Sequence, residues 1–299
     1  MVLLTSIWGF TQVAIKLAAA DISVVMQGGL RSAISLFLLL GWARWRGVPL
    51  FTRDATWWPG LVAGALYAGE FFFVYAGLAH TSASRMVVFV YLAPALTAVG
   101  VHLFVPGEQL AGRQWIGIAL AFAGVAVAFG DGFVASPASL LGDTFGIIAA
   151  FLWAATTVVI RTSALSQASA SKTLLYQIAV AALTLPLASH LMGEPGVIAL
   201  SATAVASVTF QGVIVSFASH LAWFWLLTRY LAARMSAFSF LTPLFGVLAG
   251  VVILHEPLSP LFVVAAALVA AGIVMVNLGG TRPSASTPVA VANTSTSAR

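Results

Sequence analysis

Three ionisable side chains, Glu70, Arg31 and His220, lie inside stretches that are otherwise almost wholly apolar. Trp8, Tyr75, Tyr91, Trp153 and Trp223 place aromatic rings in similar surroundings. An ionisable group in mid-bilayer costs at least about 2.5–3.5 kcal/mol on insertion scales, so each needs a partner or a use. For Glu70 the use is that of a cavity-lining carboxylate that receives an ammonium group or takes up a proton. The alternative is a permanent ion pair with Arg31 that only locks two helices together. The first reading is favoured for Glu70 and the structural one for Arg31, since an unpaired arginine is costly and the two stretches are sequence neighbours. His220 shares a helical face with Ser216, Ser219 and Trp223, which suits a polar cavity wall and, equally, an interhelical hydrogen bond. The rings would wall an apolar pocket with polar tips, or simply pack. Lys16 is expected to snorkel to the surface.

The elements that must position these groups follow from composition. With 61% hydrophobic and 7% charged residues, the chain has too little polar surface to coat a water-soluble globule of 299 residues. Its solvent is lipid, and about 20 helical residues cross a bilayer core. Ten spans fit, over 1–19, 22–43, 57–79, 83–105, 112–130, 140–161, 172–191, 203–227, 233–254 and 259–279. No basic leader or small-residue cleavage site precedes the first, which therefore reads as a retained helix. From Thr281 onward, Ser, Thr, Pro and Ala dominate, and a disordered tail over 281–299 is expected.

The stretch from Arg85 to Val127 recurs from Arg234 to Met275. At a spacing of 149, Arg85, Met86, Phe89, Leu92 and Pro94 meet Arg234, Met235, Phe238, Leu241 and Pro243, with Tyr91 on Phe240. After one deletion, Glu108, Leu110 and Gly124 meet Glu256, Leu258 and Gly272 at a spacing of 148. Five spans per repeat is an odd number, so the second copy enters the membrane with opposite polarity. The expected architecture is all-α, with ten transmembrane helices as two inverted five-helix repeats, 1–135 and 136–280, around a central cavity. Pro94 and Pro243 each free a backbone carbonyl inside a span, which is tolerated beside protein or a water-filled path; a kink or gate is expected there. The small-residue ridges Gly142-Gly146-Ala150 and Gly117-Ala121-Gly124 read as close-packing faces.

Basic residues set the orientation. Arg44, Arg46, Arg53, Arg113, Arg161, Lys172, Arg229, Arg234, Arg282 and Arg299 fall in loops on one side. Lys16 and Arg85, with Asp21, Asp131, Asp143, Glu194 and Glu256, fall on the other. The basic side faces the cytoplasm, which puts both termini there. Tryptophans 42, 45, 57 and 58 bracket the most basic loop as an interfacial anchor would.

A net charge of +5 spread over short loops makes no nucleic-acid patch. No cysteine is present, which excludes disulfides and thiolate metal sites. His255-Glu256 has no second histidine at metalloprotease spacing, and neither a G-x-S-x-G elbow nor a phosphate-cradling loop occurs. No catalytic residue, metal or cofactor is therefore assigned, and no obligate protein partner is evident.

Trp8-Gly9 with Lys16 downstream, Arg31 in the second span, the paired Pro94 and Pro243 helices, and the Glu108-Gln109-Leu110 and Glu256-Pro257-Leu258 turns resemble the drug/metabolite transporter superfamily, specifically its EamA-type members. The likeness covers residues 1–280 and is nearest to bacterial aromatic amino-acid exporters of the YddG type. The resemblance implies a carrier of the bacterial inner membrane, with a central cavity formed largely by spans three, four, eight and nine. Trp8, Glu70, Tyr75, Tyr91, Trp153, His220 and Trp223 are then the candidate substrate-binding residues, and the substrate is an aromatic or hydrophobic amino acid. Rival readings are a nucleotide-sugar, sugar-phosphate or drug carrier of the same superfamily and, from another class, an intramembrane lipid-modifying enzyme that uses Glu70 and His220 as acid and base.

Overall fold

The computed structural model describes residues 1–52, 54–135, 137–229, 238 and 241–278. The expectations on Arg53, Arg234, Met235, Phe240 and the tail from Thr281 lie outside the described residues. Within them the chain is helical, and its one β-type pairing is the antiparallel bridge between Ile22 and Val197. The helices are α1 (Val2–Ala18), α2 (Val24–Arg46), α3 (Trp57–Leu78), α4 (Ala83–Val90), α5 (Ala93–Phe104), α6 (Gly112–Ala135), α7 (Leu140–Thr162) and α8 (Ala170–Leu191). They continue with α9 (Ala202–Thr209), a π-helical stretch (Phe210–Ala218), α10 (Ser219–Arg229), α11 (Leu241–Leu254) and α12 (Pro260–Leu278). Eight segments are long and apolar enough to cross a membrane, two of them composite (Ala83–Phe104 and Ala202–Trp223); Val2–Ala18 and Leu241–Leu254 are shorter apolar helices.

The expected interruption in the fourth span is present. α4 stops at Val90, Tyr91 and Leu92 form a turn, and α5 restarts at Ala93 with Pro94 in its first turn. A proline there has no N–H to give to the preceding turn, and its ring favours a helix start over a helix interior. Pro243 likewise occupies the first turn of α11. The carboxylate-bearing turns match as well. Gly107 (φ 86°) precedes Glu108, and His255 (φ 54°) precedes Glu256. His255 directly follows the last residue of α11, whereas Gly107 lies three residues beyond the end of α5, after the extended Val105. For the β-carbon-bearing His255 the left-handed conformation is strained.

Small residues let helices approach backbone to backbone. A side chain at Gly117 would run into Met275 and Val276 of α12, and one at Gly272 into Ala121 and Gly117 of α6. α6 and α12 therefore form a close pair, while α3 packs on α7 and α8, α2 on α8, and α1 on α11. Gly142 meets Gly77 and Thr81, and Gly146 meets Phe89, so both expected ridges are packing faces. Gly29 of α2 lies against Pro186 inside α8.

The polar loops gather at two ends. At the acidic end, Arg85 reaches Asp143 at 2.6 Å, Asp131 at 3.1 Å and the Ala128 carbonyl at 2.8 Å. Thr81 adds a bond to Asp143 at 2.7 Å, and Ser259 one to Asp131 at 2.5 Å. Two glutamates from the second half cap helices of the first. Glu256 accepts from the amides of Ala83 and Ser84 at 2.7 and 2.9 Å, and Glu194 from those of Val25 and Met26 at 3.3 Å. A carboxylate suits a helix N-terminus, where amides lack partners and the dipole is positive. At the basic end, Lys172 binds Asp54 at 2.5 Å and, with Thr56, holds that carboxyl below the usual carboxylate range; Arg161 pairs with Glu108. Of the four tryptophans around the basic loop, Trp45, Trp57 and Trp58 are largely exposed, whereas Trp42 is partly buried against the core.

Asp143 is fully buried in its ion pair. Asp143→Asn leaves the Arg85 charge under-compensated and is expected to cost about 3–5 kcal/mol, read as a fall in melting temperature in detergent. Glu108→Gln, at a half-exposed pair, should change stability by less than about 1 kcal/mol.

Candidate functional site

Polar side chains of α1, α2, α3 and the π-helical stretch meet inside the bundle. Gln27 on α2 donates to the carbonyls of Ile15 and Ile22 at 3.2 and 2.9 Å and accepts from Gln211 at 3.0 Å. Gln211 in turn accepts the Tyr75 hydroxyl at 2.6 Å. This relay ties four spans together with every hydrogen bond in it buried.

Beside the relay lies the charge. Arg31 is 1% exposed, donates from Nη2 to the Tyr67 hydroxyl at 3.2 Å and to Ser216 at 3.5 Å, and stacks over the Phe71 ring at 4.0 Å. Its Nε is buried without an acceptor. Glu70, one residue before Phe71, is 7% exposed and makes no hydrogen bond among the described residues, although it interacts electrostatically with Arg31, Tyr67 and Tyr91. The expected contact pair is not formed. The ion pairs among the described residues all lie at the helix ends, and Arg31 takes neutral partners. Guanidinium stacking on Phe71 holds the cation on the face of α3 that carries Tyr67, Phe71 and Tyr75.

The candidate aromatics assemble in separate groups. Tyr91 and Trp153 meet edge to face at 5.6 Å. Trp8 and Trp223 do so at 5.8 Å, and Trp8 donates to the Ser219 hydroxyl at 2.8 Å. Tyr75 belongs to the Tyr67–Phe71–Tyr75 ladder, with centroid spacings of 4.7 and 6.3 Å. His220 lies with the Trp8 group: it is adjacent to Ser219, and its Nδ1 is 3.0 Å from the Val215 carbonyl of its own helix. No hydrogen bond or ion pair joins His220 to Glu70 among the described residues. The reason is depth: Glu70 is nearer the acidic end of its span, and His220 nearer the basic end of its own. Lys16 is half-buried in the last turn of α1 and interacts electrostatically with Glu256.

Tyr67, Phe71, Gln27 and Gln211 were not among the sequence candidates, and Ser216 entered only as a neighbour of His220. The signal was there in part, since Gln27, Arg31 and Ser35 recur every four residues along α2, as do Tyr67, Phe71 and Tyr75 along α3. The π-helical stretch over Phe210–Ala218 left no such trace. It widens the turn that presents Gln211 and Ser216, and such stretches recur at functional sites. An open groove of about 460 Å³ between α1, the π-helical stretch and α11 is lined by Phe10, Phe210, Phe245 and aliphatic residues. It has no charged lining, and Leu248 and Val252 on its rim face outward, so it is a lipid-facing surface rather than the polar site.

The EamA-like transporter family model matches residues 1–130 and again 140–278. The chain belongs to the EamA-like transporter family. It is thus a multi-pass membrane protein of a transporter family. It is 27% identical over 276 residues to the uncharacterized transporter YvbV of Bacillus subtilis, covering 92% of this chain and 89% of that one. It is 23% identical over 290 residues to a probable amino-acid metabolite efflux pump of Escherichia coli, covering 94% of each. A crystal structure that is 21% identical and covers 92% of this chain and 95% of its own superposes with a TM-score of 0.66, which supports the fold.

The relay yields a stability test. Tyr75→Phe strips the Gln211 carbonyl of its donor in a buried setting and is expected to destabilise by about 1–3 kcal/mol. Thermal unfolding of the purified variant in detergent reads this directly.

Proposed function

We propose that this EamA-family chain is a secondary carrier that exports small amphipathic metabolites, foremost aromatic and hydrophobic amino acids, across the bacterial inner membrane by alternating access. In this reading its ten spans form two inverted five-helix repeats, 1–135 and 136–280, both termini are cytoplasmic, and Pro94 and Pro243 break the spans that line the path. The observation that carries the proposal is Glu70, a buried carboxylate with no hydrogen-bond partner among the described residues, near Tyr67, Phe71 and Tyr91. A carboxylate left open among rings complements a substrate with an ammonium group and an aromatic side chain. The probable amino-acid metabolite efflux pumps among its relatives support the same reading, as does the resemblance to exporters of the YddG type. Tyr91, Trp153 and Tyr75 would hold the ring, and Trp8, Trp223 and His220 would line the route toward the basic end.

Two other readings fare less well. A sugar-phosphate or nucleotide-sugar carrier wants several interior cations, whereas Arg85 and Lys172 are already engaged by carboxylates at the ends and Arg31 is the one fully buried arginine among the described residues. A lipid-modifying enzyme would need Glu70 and His220 to act as an acid and base pair, and they share no contact.

Counterflow in proteoliposomes with a panel of labelled amino acids, with and without a pH gradient, tests the proposal. Exchange of aromatic amino acids is expected, falling about tenfold or more in Glu70→Gln and clearly in Tyr91→Ala and Trp153→Ala. Full activity in Glu70→Gln would remove its assignment, and recovery of a covalently altered solute would favour the enzyme reading. The topology has its own check, made simple by the absence of cysteine. Single cysteines at the repeat-equivalent Gln109 and Pro257 should be labelled from opposite sides of the membrane.

A further inference from the structure

Arg31 and Glu70 present an unusual arrangement. Each is buried, each is near enough to the other to interact electrostatically, and neither forms an ion pair among the described residues. A lone pair of buried charges gains most by closing into contact, because uncompensated charge in such surroundings is strongly unfavourable. Here Arg31 is held back by the Tyr67 and Ser216 hydroxyls and by the Phe71 ring beneath it. The ring covers one guanidinium face and Tyr75 lies beside the group, while Nε has no hydrogen-bond partner among the described residues. Nε together with an Nη is the side-on pair of donors that binds a carboxylate with two parallel hydrogen bonds. On the other side Glu70 offers acceptor oxygens with no donor.

We propose that Arg31 and Glu70 form one receptor for a zwitterionic headgroup, in which the Arg31 edge takes the carboxylate of an α-amino acid and Glu70 takes its ammonium group. The inference rests on the amino-acid reading above and adds the carboxylate contact and the source of selectivity. A substrate with no net charge leaves the site's total charge unchanged, and it replaces one attraction at a distance with two contacts between opposite charges. Tyr67 and Ser216 act as positioning residues that keep the guanidinium edge turned to the substrate. An amine without the carboxylate would leave Arg31 unanswered, and an acid without the ammonium would leave Glu70 unanswered. A site built to bind a polar group rejects the analogue that lacks it.

The test is competition against counterflow of labelled L-phenylalanine in vesicles containing the purified protein. Unlabelled L-phenylalanine, 2-phenylethylamine and 3-phenylpropionate serve as competitors. In the unmodified protein both truncated analogues are expected to compete at least about tenfold more weakly than the amino acid. Arg31→Gln should bring 2-phenylethylamine level with L-phenylalanine while 3-phenylpropionate stays weak, and Glu70→Gln should do the reverse. Equal competition by 2-phenylethylamine in the unmodified protein overturns the inference without needing a variant to fold. So does an Arg31→Gln protein that still discriminates against the amine. Absence of counterflow with every aromatic amino acid would instead defeat the amino-acid reading itself.

Discussion

Each charge that this chain carries into apolar surroundings has to be answered by the chain itself, because no water is there to do it. That requirement explains where the polar contacts fall. Asp143 and Asp131 close around Arg85, Glu256 and Glu194 sit on helix N-termini, and Lys172 reaches Asp54. Each of these charges lies at the end of a span and is spent on holding loops together. Arg31 and Glu70 are inside, and among the described residues neither has an ion-pair partner. A structure that satisfies its charges elsewhere and leaves this pair open points to the pair as the place where something else binds.

At the acidic end the two halves of the chain are fastened to each other by carboxylate caps. The second half contributes Glu256 and Glu194 to cap helices of the first, and backbone bonds between Ser23 and Gly196 and from Ile198 to Asp21 reinforce them. At the basic end the described contacts are the Lys172–Asp54 group and the half-exposed Arg161–Glu108 pair. The broken helices lie between the two ends. α4 and α5 meet at the Tyr91–Leu92 turn, one helix beside the Gly9 and Gly246 crossing of α1 and α11, where a β-carbon on either residue would strike its neighbour.

Much of the candidate site could be read from the chain alone. Glu70 and Arg31 declared themselves by the cost of a charge in a lipid-soluble stretch, and the prolines by recurring at the same place in two copies. Individual partners were harder to read. Depth in the bundle depends on helix length and tilt, and although Glu70 and His220 are neighbours under the repeat alignment, His220 bonds to the Val215 carbonyl while Glu70 makes no hydrogen bond among the described residues. Gln27 and Gln211 are ordinary polar residues in the sequence, and only their meeting across 184 positions makes a relay.

The sequence by itself determined that the chain is membrane-embedded and helical, that it contains a repeat, and that its fourth span must break near Pro94. These follow from composition, periodicity and the missing N–H of proline, which act locally. Tertiary structure alone decided that Arg31 would take Tyr67, Ser216 and Phe71 instead of Glu70, and that the eighth span would open into a π-helical turn. Those outcomes turn on which neighbours reach a side chain first in a close-packed bundle. That is a property of several helices at once, and no single stretch of residues encodes it.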